Sequence, residues 1–246
     1  MSSTAHLLIG EKLLGFQDPD GVFTVMIQLG SILAIMWLYR VKIIGVITGL
    51  PSDPDARRFA AMVIVATIPA LIAGALLSRF VMSVLYRTLA VPAAAFVIGG
   101  MVMLIVERSR PAPTIRNAEH TPIGRAFAIG LCQMLAIVPG VSRSGATIVG
   151  GMLVGLDRPA AAEFSFFVAM PTMVAAFAKS LFDVRDHLGA AFAGEIAIGF
   201  VMAFIASLLV VRPFLEFVRR AGFAPFAWYR IVIGILLAAA LASGGR

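Results

Sequence analysis

Residues Phe59–Ser78 read FAAMVIVATIPALIAGALLS, twenty residues without a charged side chain. The hydrocarbon core of a bilayer is about 30 Å thick, and a helix needs about 20 apolar residues to cross it. This stretch therefore predicts a transmembrane helix. Six further apolar stretches, two of them short, are predicted as spans: Val22–Tyr39, Thr88–Val106, Ala126–Val138, Ala160–Ala178, Ala191–Val211 and Ile231–Ala242.

The composition of the whole chain agrees with this pattern. Hydrophobic residues make up 60% of the 246 residues, charged residues only 13%, and the mean hydropathy is +0.97. A soluble domain carries about 25% charged residues. We therefore predict an all-α polytopic membrane protein, a single integral membrane domain over residues 1–246 with about six to seven transmembrane helices.

The basic residues bear on partners and topology. The net charge is +7, but the basic side chains fall mostly between apolar runs, where they meet anionic lipid head groups. We therefore do not expect nucleic acid as a partner. The loops Arg40–Arg58 and Glu107–Arg125 are both basic and lie on one side of the predicted bilayer, which the positive-inside rule assigns to the cytoplasm. The loop after Val138 then faces the external side.

Two apolar pieces, Leu7–Phe16 and Ala146–Leu156, are too short to span a bilayer and each follows a serine-containing turn. They predict re-entrant half-helices in two repeats, about 1–106 and 126–246. The repeats are inverted only if Ala126–Val138 is one arm of a re-entrant hairpin, which puts Pro139 at mid-depth, where inverted-repeat proteins place their sites. Four positions recur at a constant offset: Ser2, Gly10, Leu13 and Gly15 as Ser142, Gly150, Leu153 and Gly155.

The stretch Pro139–Thr147 reads PGVSRSGAT. Proline and glycine end the preceding helix, and Ser142 or Ser144 can cap the next one. A helix N-terminus offers free N–H groups, and Arg143 adds a fixed cation with a fork of donors. We predict a phosphate-binding cradle rather than a surface loop whose arginine meets a lipid head group, because an ionisable residue at this depth is usually functional. Its phosphate-binding residues are Ser142, Arg143, Ser144 and Thr147.

The first repeat supplies the remaining reactive side chains. Ser3 is a candidate nucleophile and His6 a candidate general acid or base, since histidine titrates near neutrality. With Arg143 they form the predicted catalytic set. Two supporting residues stay open: Gln133 either packs between helices or reaches the site, and Glu163 either forms a structural ion pair with Arg143 or Arg158 or binds a metal.

Pro139–Thr147 resembles the PGxSRSxxT signature of the undecaprenyl-diphosphate phosphatases of the bacitracin-resistance type. Ser2–Leu7 is similar to the end of that family's first motif, and Phe226–Arg230 also resembles the family. The resemblance implies a hydrolase of the bacterial cytoplasmic (inner) membrane whose site opens to the external, periplasmic side. It implies removal of the terminal phosphate from undecaprenyl diphosphate, which returns the lipid carrier to cell-wall (peptidoglycan) synthesis. It also implies Ser3 and His6 as the functional pair of the first motif and a divalent cation, Mg²⁺ or Ca²⁺.

The family's first motif begins with two glutamates four residues apart, upstream of the serine pair. The sequence given starts at Met1, directly before Ser2, so no metal ligands are assigned. We expect the natural start to lie further upstream; with Met1 as the true start we expect weak or absent activity. Ala5 stands where the family usually has glycine.

Two other functions compete with hydrolysis. A transporter or flippase of a phosphate-bearing lipid can use the same inverted repeats and the same cradle. An inactive membrane scaffold predicts that Arg143→Ala changes nothing. The sequence leaves open whether Ser3 or water is the nucleophile, and a homodimer is compatible with it.

Overall fold

The computed structural model describes residues 3–16, 18, 22–85, 88–110, 112–184 and 190–244. Ten α-helices lie in this part of the chain: α1 Ser3–Leu14, α2 Val22–Leu38, α3 Arg40–Gly49, α4 Pro54–Phe80, α5 Ala90–Ser109, α6 Ile123–Met134, α7 Arg143–Leu153, α8 Arg158–Val184, α9 Ala190–Ala221 and α10 Ala224–Ala242. A π-helical turn (Val81–Leu85) and two 3-10 turns (Ala118–His120, Leu135–Ile137) complete the helical elements. Across the described ranges the one β-type pairing is an isolated bridge between Ile115 and Leu156. The all-α prediction is confirmed.

By length and composition, five helices of the described chain can cross a membrane: Pro54–Leu77, Ala90–Ser109, Arg158–Lys179, Gly194–Ala221 and Ala224–Ala242. Phe23–Leu38 and Arg40–Gly49 are bent by 73° at Tyr39, and they are either one broken span, which would be the sixth, or a re-entrant loop. The protein is therefore a multi-pass membrane protein. The predicted span Ala126–Val138 is wrong as a full crossing, because the helix and turn there cover only Ile123–Ile137, about 22 Å at 1.5 Å per residue.

Two further boundaries differ from the sequence prediction. The stretch Arg40–Arg58, predicted as a loop, contains α3 and the start of α4. Helix α3 ends shortly before Pro51, because proline cannot continue a helix. Along α3 the side chains of Val41, Ile44 and Ile47 are exposed. Apolar residues three apart lie on one helical face, so this short helix presents an apolar face although basic residues flank it.

The last two helices begin or end beyond their predicted limits. Helix α9 continues to Ala221, so that Arg212, Arg219 and Arg220 lie on it, and α10 begins at Ala224, which places Arg230 inside a helix rather than before one. The side chains of Arg219 and Arg220 both bond Glu216 one turn earlier. Basic side chains paired in this way are compatible with a helical end at a membrane surface.

Helices α6 and α7 form an antiparallel hairpin around the turn at 138–142. A Cβ on Gly150 of α7 would lie 2.8 Å from the Cβ of Cys132 on α6, so the missing side chain lets the two helices approach. Helix α7 is about 16 Å long, too short to cross a bilayer. The hairpin is the short-armed unit that an inverted arrangement requires. The repeat itself stays a prediction, and Ser2, one of its members, lies outside the described residues.

The site is positioned by close packing of α5 against α10. A Cβ on Gly100 would lie 2.7 Å from the carbonyl oxygen of Ala227, and one on Gly234 would lie 2.9 Å from that of Ala93. Small residues at both contacts bring the two backbones together. This close approach puts the buried Arg230 of α10 beside Phe96 of α5, next to the tip of the α6–α7 hairpin.

Candidate active site

Ser142 caps the N-terminus of α7 with an unusual backbone. Its side-chain oxygen accepts a hydrogen bond from the Gly145 N–H at 3.1 Å, and its backbone lies at φ 72°, ψ 112°. A non-glycine residue in such a region costs about 1–3 kcal/mol and persists only where its surroundings fix it; such residues cluster at functional sites. The sequence prediction that Ser142 or Ser144 caps this helix is confirmed for Ser142.

The loop before Ser142 is held from two sides. Gly140 has φ 94°, and a Cβ there would lie 2.7 Å from Cα of Pro92 on α5, so glycine is required both by conformation and by space. Arg230 donates hydrogen bonds to the carbonyl oxygens of Gly140 and Val141, each at 3.0 Å. It donates a third to the carbonyl oxygen of Ala95 at 2.9 Å. These contacts fix the backbone that enters α7.

Arg143, the first residue of α7, carries a donor that is not satisfied. Its Nη1 is buried and has no hydrogen-bond partner among the described residues. A buried cation without a partner is costly. The side-chain oxygens of Ser142 and Ser144 lie 3.4 Å apart at the same helix end. The half-buried Arg143 with its buried Nη1, two hydroxyls and a helix N-terminus together favour a multiply charged anion such as phosphate.

Thr147 lies one turn further along α7 and is buried. Its hydroxyl donates to the carbonyl oxygens of Arg143 and Ser144, at 3.0 and 3.1 Å. Its proton is thus used within the helix, which leaves only acceptor capacity for a ligand. Phosphate binding by Thr147 stays a prediction that requires this hydroxyl to rotate.

The first motif forms the beginning of α1. Ser3 is the first residue of the helix and is exposed. Nε2 of His6 lies 2.9 Å from the phenolic oxygen of Tyr229, and the two rings stack at 5.7 Å with an interplanar angle of 10°. The oxygen of Thr4 accepts a hydrogen bond from Gln28 at 3.4 Å. Gln28 of α2 therefore connects this motif to a neighbouring helix.

Three side chains connect the two motifs. The centroid of the Phe96 ring lies 5.5 Å from the centroid of the His6 ring and 5.4 Å from Cζ of Arg230. Tyr229, which bonds His6, precedes Arg230, which bonds the Gly140–Val141 loop. His6 and the loop that carries Arg143 are thus both anchored on α5 and α10. The joint catalytic role of His6 and Arg143 stays a prediction.

Gln133 lies on α6 and is almost fully buried. Its Nε2 donates to the Thr172 hydroxyl on α8 at 3.3 Å, while its Oε1 is buried and has no partner among the described residues. One end of the amide therefore packs between helices and the other end remains available, so both roles considered for Gln133 stay open.

The sequence suggested an ion pair of Glu163 with Arg143 or Arg158, and the structure shows neither pair. Its partner is Lys42 at 3.5 Å, and Lys42 also bonds Glu119 at 2.6 Å. Arg158 pairs instead with Glu107. Five residues separate positions 158 and 163 of α8, which places them on different helical faces. Of the two roles considered for Glu163, the contacts support the structural ion pair.

The described residues leave the expected divalent cation a prediction. They contain no group of three or more His, Cys, Asp or Glu side chains that could hold a metal ion. Mg²⁺ and Ca²⁺ are bound through oxygen ligands that include carboxylates. Glu11, the described carboxylate of α1, accepts a hydrogen bond from Thr24 at 3.3 Å.

Comparisons of this sequence with known proteins identify its family. A family model described as bacitracin resistance protein BacA matches residues 1–236. The chain belongs to this family. It is 48% identical over 244 residues to an undecaprenyl-diphosphatase of Cereibacter sphaeroides, which covers 99% of this chain and 91% of the relative. It is 49% identical to undecaprenyl-diphosphatase 1 of Agrobacterium fabrum, over 96% of this chain and 88% of that protein.

Within this BacA-family chain, sequence reasoning did not single out Phe96, and it named Tyr229 and Arg230 only as part of a segment that resembles the family, without a role. The predicted last span began at Ile231, which left Arg230 outside the helix. One signal could have indicated it: the segment from Ala224 to Ala242 is apolar except for this arginine. An ionisable residue inside a membrane helix is a candidate functional residue by default.

Proposed function

We propose that this chain hydrolyses undecaprenyl diphosphate to undecaprenyl phosphate and inorganic phosphate. The observation that carries the proposal is the buried, unpartnered Nη1 of Arg143 at the N-terminus of α7, beside Ser142 and Ser144. The product is the lipid carrier used in cell-wall synthesis. Relatives at 45–49% identity that cover nearly the whole chain carry the name undecaprenyl-diphosphatase.

The chemistry asked of the protein is mainly charge stabilisation. In phosphoryl transfer, catalysis rests on positioning and on electrostatic stabilisation of the phosphoryl oxygens. Arg143, the hydroxyls of Ser142 and Ser144 and the free N–H groups of α7 would hold the terminal phosphoryl group. The bond between that phosphorus and the bridging oxygen breaks, and the bridging oxygen leaves with the lipid monophosphate.

Two nucleophiles remain compatible with the site. In one route a water molecule attacks the phosphorus and His6 accepts its proton. In the other, the Ser3 hydroxyl attacks while His6 accepts the proton, and water then hydrolyses the phosphoserine. His6 lies three residues after Ser3 on α1, which places both on neighbouring positions of one helical face.

We further propose the location and orientation of the reaction. The tip of the short α6–α7 hairpin would lie within the bilayer, so that the isoprenoid tail stays among acyl chains while the diphosphate enters the site. Lys42 and Arg158, both held in ion pairs near helix ends, lie in or beside the basic segments that the sequence assigns to the cytoplasm. On that basis the site would face the external side of the bacterial cytoplasmic membrane.

The test is phosphate release from undecaprenyl diphosphate by the detergent-purified protein. We expect release from the natural sequence, loss in Arg143→Ala and no change in Arg212→Ala, a control on the exposed surface of α9. Movement of the lipid across vesicles without phosphate release would favour a carrier instead. The mass of the purified particle would show whether two copies associate, which the sequence left open.

A further inference from the structure

We propose that Tyr229 and Arg230, neighbours in α10, are positioning residues that set both halves of the active site. Tyr229 orients His6, and Arg230 fixes the loop from which Ser142 and Arg143 enter α7. The inference rests on the proposed function, because the group being positioned is the phosphate-binding cradle.

Arg230 has the contacts of a residue that shapes a loop. Its side chain is 1% exposed and donates to three main-chain carbonyl oxygens, those of Ala95, Gly140 and Val141, at 2.9 to 3.0 Å. Two of the three acceptors directly precede Ser142, whose backbone is at φ 72°. A guanidinium spreads its five donors in one plane, whereas an ammonium is a compact point charge. Lysine at this position would retain the charge but not all three bonds.

The Arg230 head group also lies next to the first turn of α7. A Cβ on Gly145 would come within 3.3 Å of its Nη1. The cation is therefore close to the helix end that would receive the phosphate. Its two Nη atoms donate to carbonyl groups, while its Nε is buried without a hydrogen-bond partner among the described residues. The direct role of the Nη atoms is to hold the loop, and the charge adds to the positive potential there.

Tyr229 acts on the other half. Its hydroxyl is 2.9 Å from Nε2 of His6, and its ring is nearly parallel to the imidazole. A hydrogen bond at one ring nitrogen fixes the tautomer and orientation of a histidine. Phe96 supports both residues, since it contacts the His6 ring and the Arg230 guanidinium. A shift of α10 along α5 would thus disturb the acid–base group and the phosphate cradle together.

An aromatic residue of α10 and an arginine of α9 provide controls outside the site. Trp228, next to Tyr229, is 55% exposed on the surface of the bundle. Arg220, at the end of α9, is an exposed arginine that bonds Glu216. Trp228→Phe reduces an aromatic side chain to phenylalanine, as Tyr229→Phe does, and Arg220→Lys makes the same change as Arg230→Lys. We expect both to retain phosphate release within about twofold of the natural sequence.

The experiment measures kcat and KM for undecaprenyl diphosphate, binding of inorganic diphosphate and thermal unfolding. We expect Tyr229→Phe to lower kcat about tenfold with little change in KM, as removal of an outer-shell hydrogen bond typically does. In a His6→Ala background the same change should have no further effect, because residues that act as a unit are non-additive. We expect Arg230→Lys to weaken diphosphate binding by about tenfold and lower kcat/KM by about 100-fold.

The outcomes separate this inference from the proposed function. If the natural protein releases phosphate and the Tyr229→Phe and Arg230→Lys variants are each fully active, the inference is overturned and the proposed function stands. If Tyr229→Phe lowers kcat by the same factor in the His6→Ala background as in the natural sequence, the role of Tyr229 is overturned. Without phosphate release from the natural protein the proposed function fails, and equal diphosphate binding by Arg230→Lys would then also refute the role of Arg230.

Discussion

The side chain of Ser142 accepts a hydrogen bond from the Gly145 N–H while the Ser142 backbone occupies the positive-φ region, at φ 72°. One residue therefore both stabilises the start of α7 and bears backbone strain. The strain is held by the Gly140 contact with α5 and by the bonds from Arg230. Because Arg143 follows directly, the direction of its side chain depends on this conformation.

The two contributions of Ser142 can be separated by substitution. Ser142→Ala and Ser142→Gly both remove the capping hydroxyl, a loss of about 1 kcal/mol with alanine and a few tenths with glycine. Only glycine tolerates positive φ without cost. We expect Ser142→Gly to unfold at a higher temperature than Ser142→Ala, with both strongly impaired in phosphate release. Equal melting temperatures would contradict a strained backbone, and an active Ser142→Gly would exclude the hydroxyl from phosphate binding.

Gly140 should tolerate no side chain. A Cβ there would lie 2.7 Å from Cα and 2.9 Å from the carbonyl oxygen of Pro92, and the backbone is at φ 94°. We expect Gly140→Ala to lower the free energy of unfolding by about 1–3 kcal/mol or more and to abolish activity. Gly74→Ala in α4 is the control, because no atom of the described residues, apart from the adjoining backbone of α4 itself, lies within 4 Å of its added Cβ. That control should keep its activity, and its melting temperature should stay unchanged or rise, since alanine favours a helix more than glycine does.

Removing the side chain of Arg143 should abolish activity without lowering stability. Nη1 of Arg143 is buried and has no hydrogen-bond partner in the part of the chain that the structure describes, so removing the charge removes a cost rather than a bond. We expect Arg143→Met to abolish phosphate release and diphosphate binding while its melting temperature stays unchanged or rises. Added inorganic diphosphate should raise the melting temperature of the natural protein and not that of the variant. A variant that unfolds easily but remains active would show Arg143 to be structural.

Local features of this fold were accessible from the sequence, and long-range pairings were not. The apolar run at Phe59–Ser78 and the cap at Ser142 depend on neighbouring residues, so composition and spacing indicated them. The partners of Arg230 lie 89 to 135 residues away, and Glu163 meets Lys42 across 121 residues. No spacing rule connects such positions, and only the packed helices bring them together.

Helix α3 shows a different reason for error. Its sequence combines Arg40 and Lys42 with apolar residues and lies between a span and a proline-rich turn. Charge pattern alone therefore indicated a loop. In the structure this segment is helical, and Lys42 pairs with Glu119 and Glu163 and lies 4.4 Å from the Phe167 ring centroid. These tertiary contacts connect α3 to residues that are far away in the sequence.

The Lys42 cluster should matter for stability and not for chemistry. Glu163 contacts Lys42, and its described contacts do not include the residues of the cradle. We expect Glu163→Gln to lower the free energy of unfolding by about 1 kcal/mol, the scale of a partly exposed ion pair, with kcat and KM within twofold. The Lys42→Met/Glu163→Gln double variant should be more stable than the sum of the single changes predicts, since the two residues act as a pair. A large fall in kcat for Glu163→Gln would return this residue to the active site.

The requirement for a divalent cation is a separate question, because the described residues offer no cluster of three His, Cys, Asp or Glu ligands. We expect phosphate release to require Mg²⁺ or Ca²⁺ and to stop in EDTA, because a diphosphate needs its charge neutralised. The assay should compare this chain, a form extended upstream in its reading frame, and Arg143→Ala of each. Metal-dependent release only from the extended form would place the missing ligands upstream of Ser3. Release that persists in EDTA would show that Arg143, the hydroxyls and the N-terminus of α7 suffice to neutralise the phosphoryl oxygens.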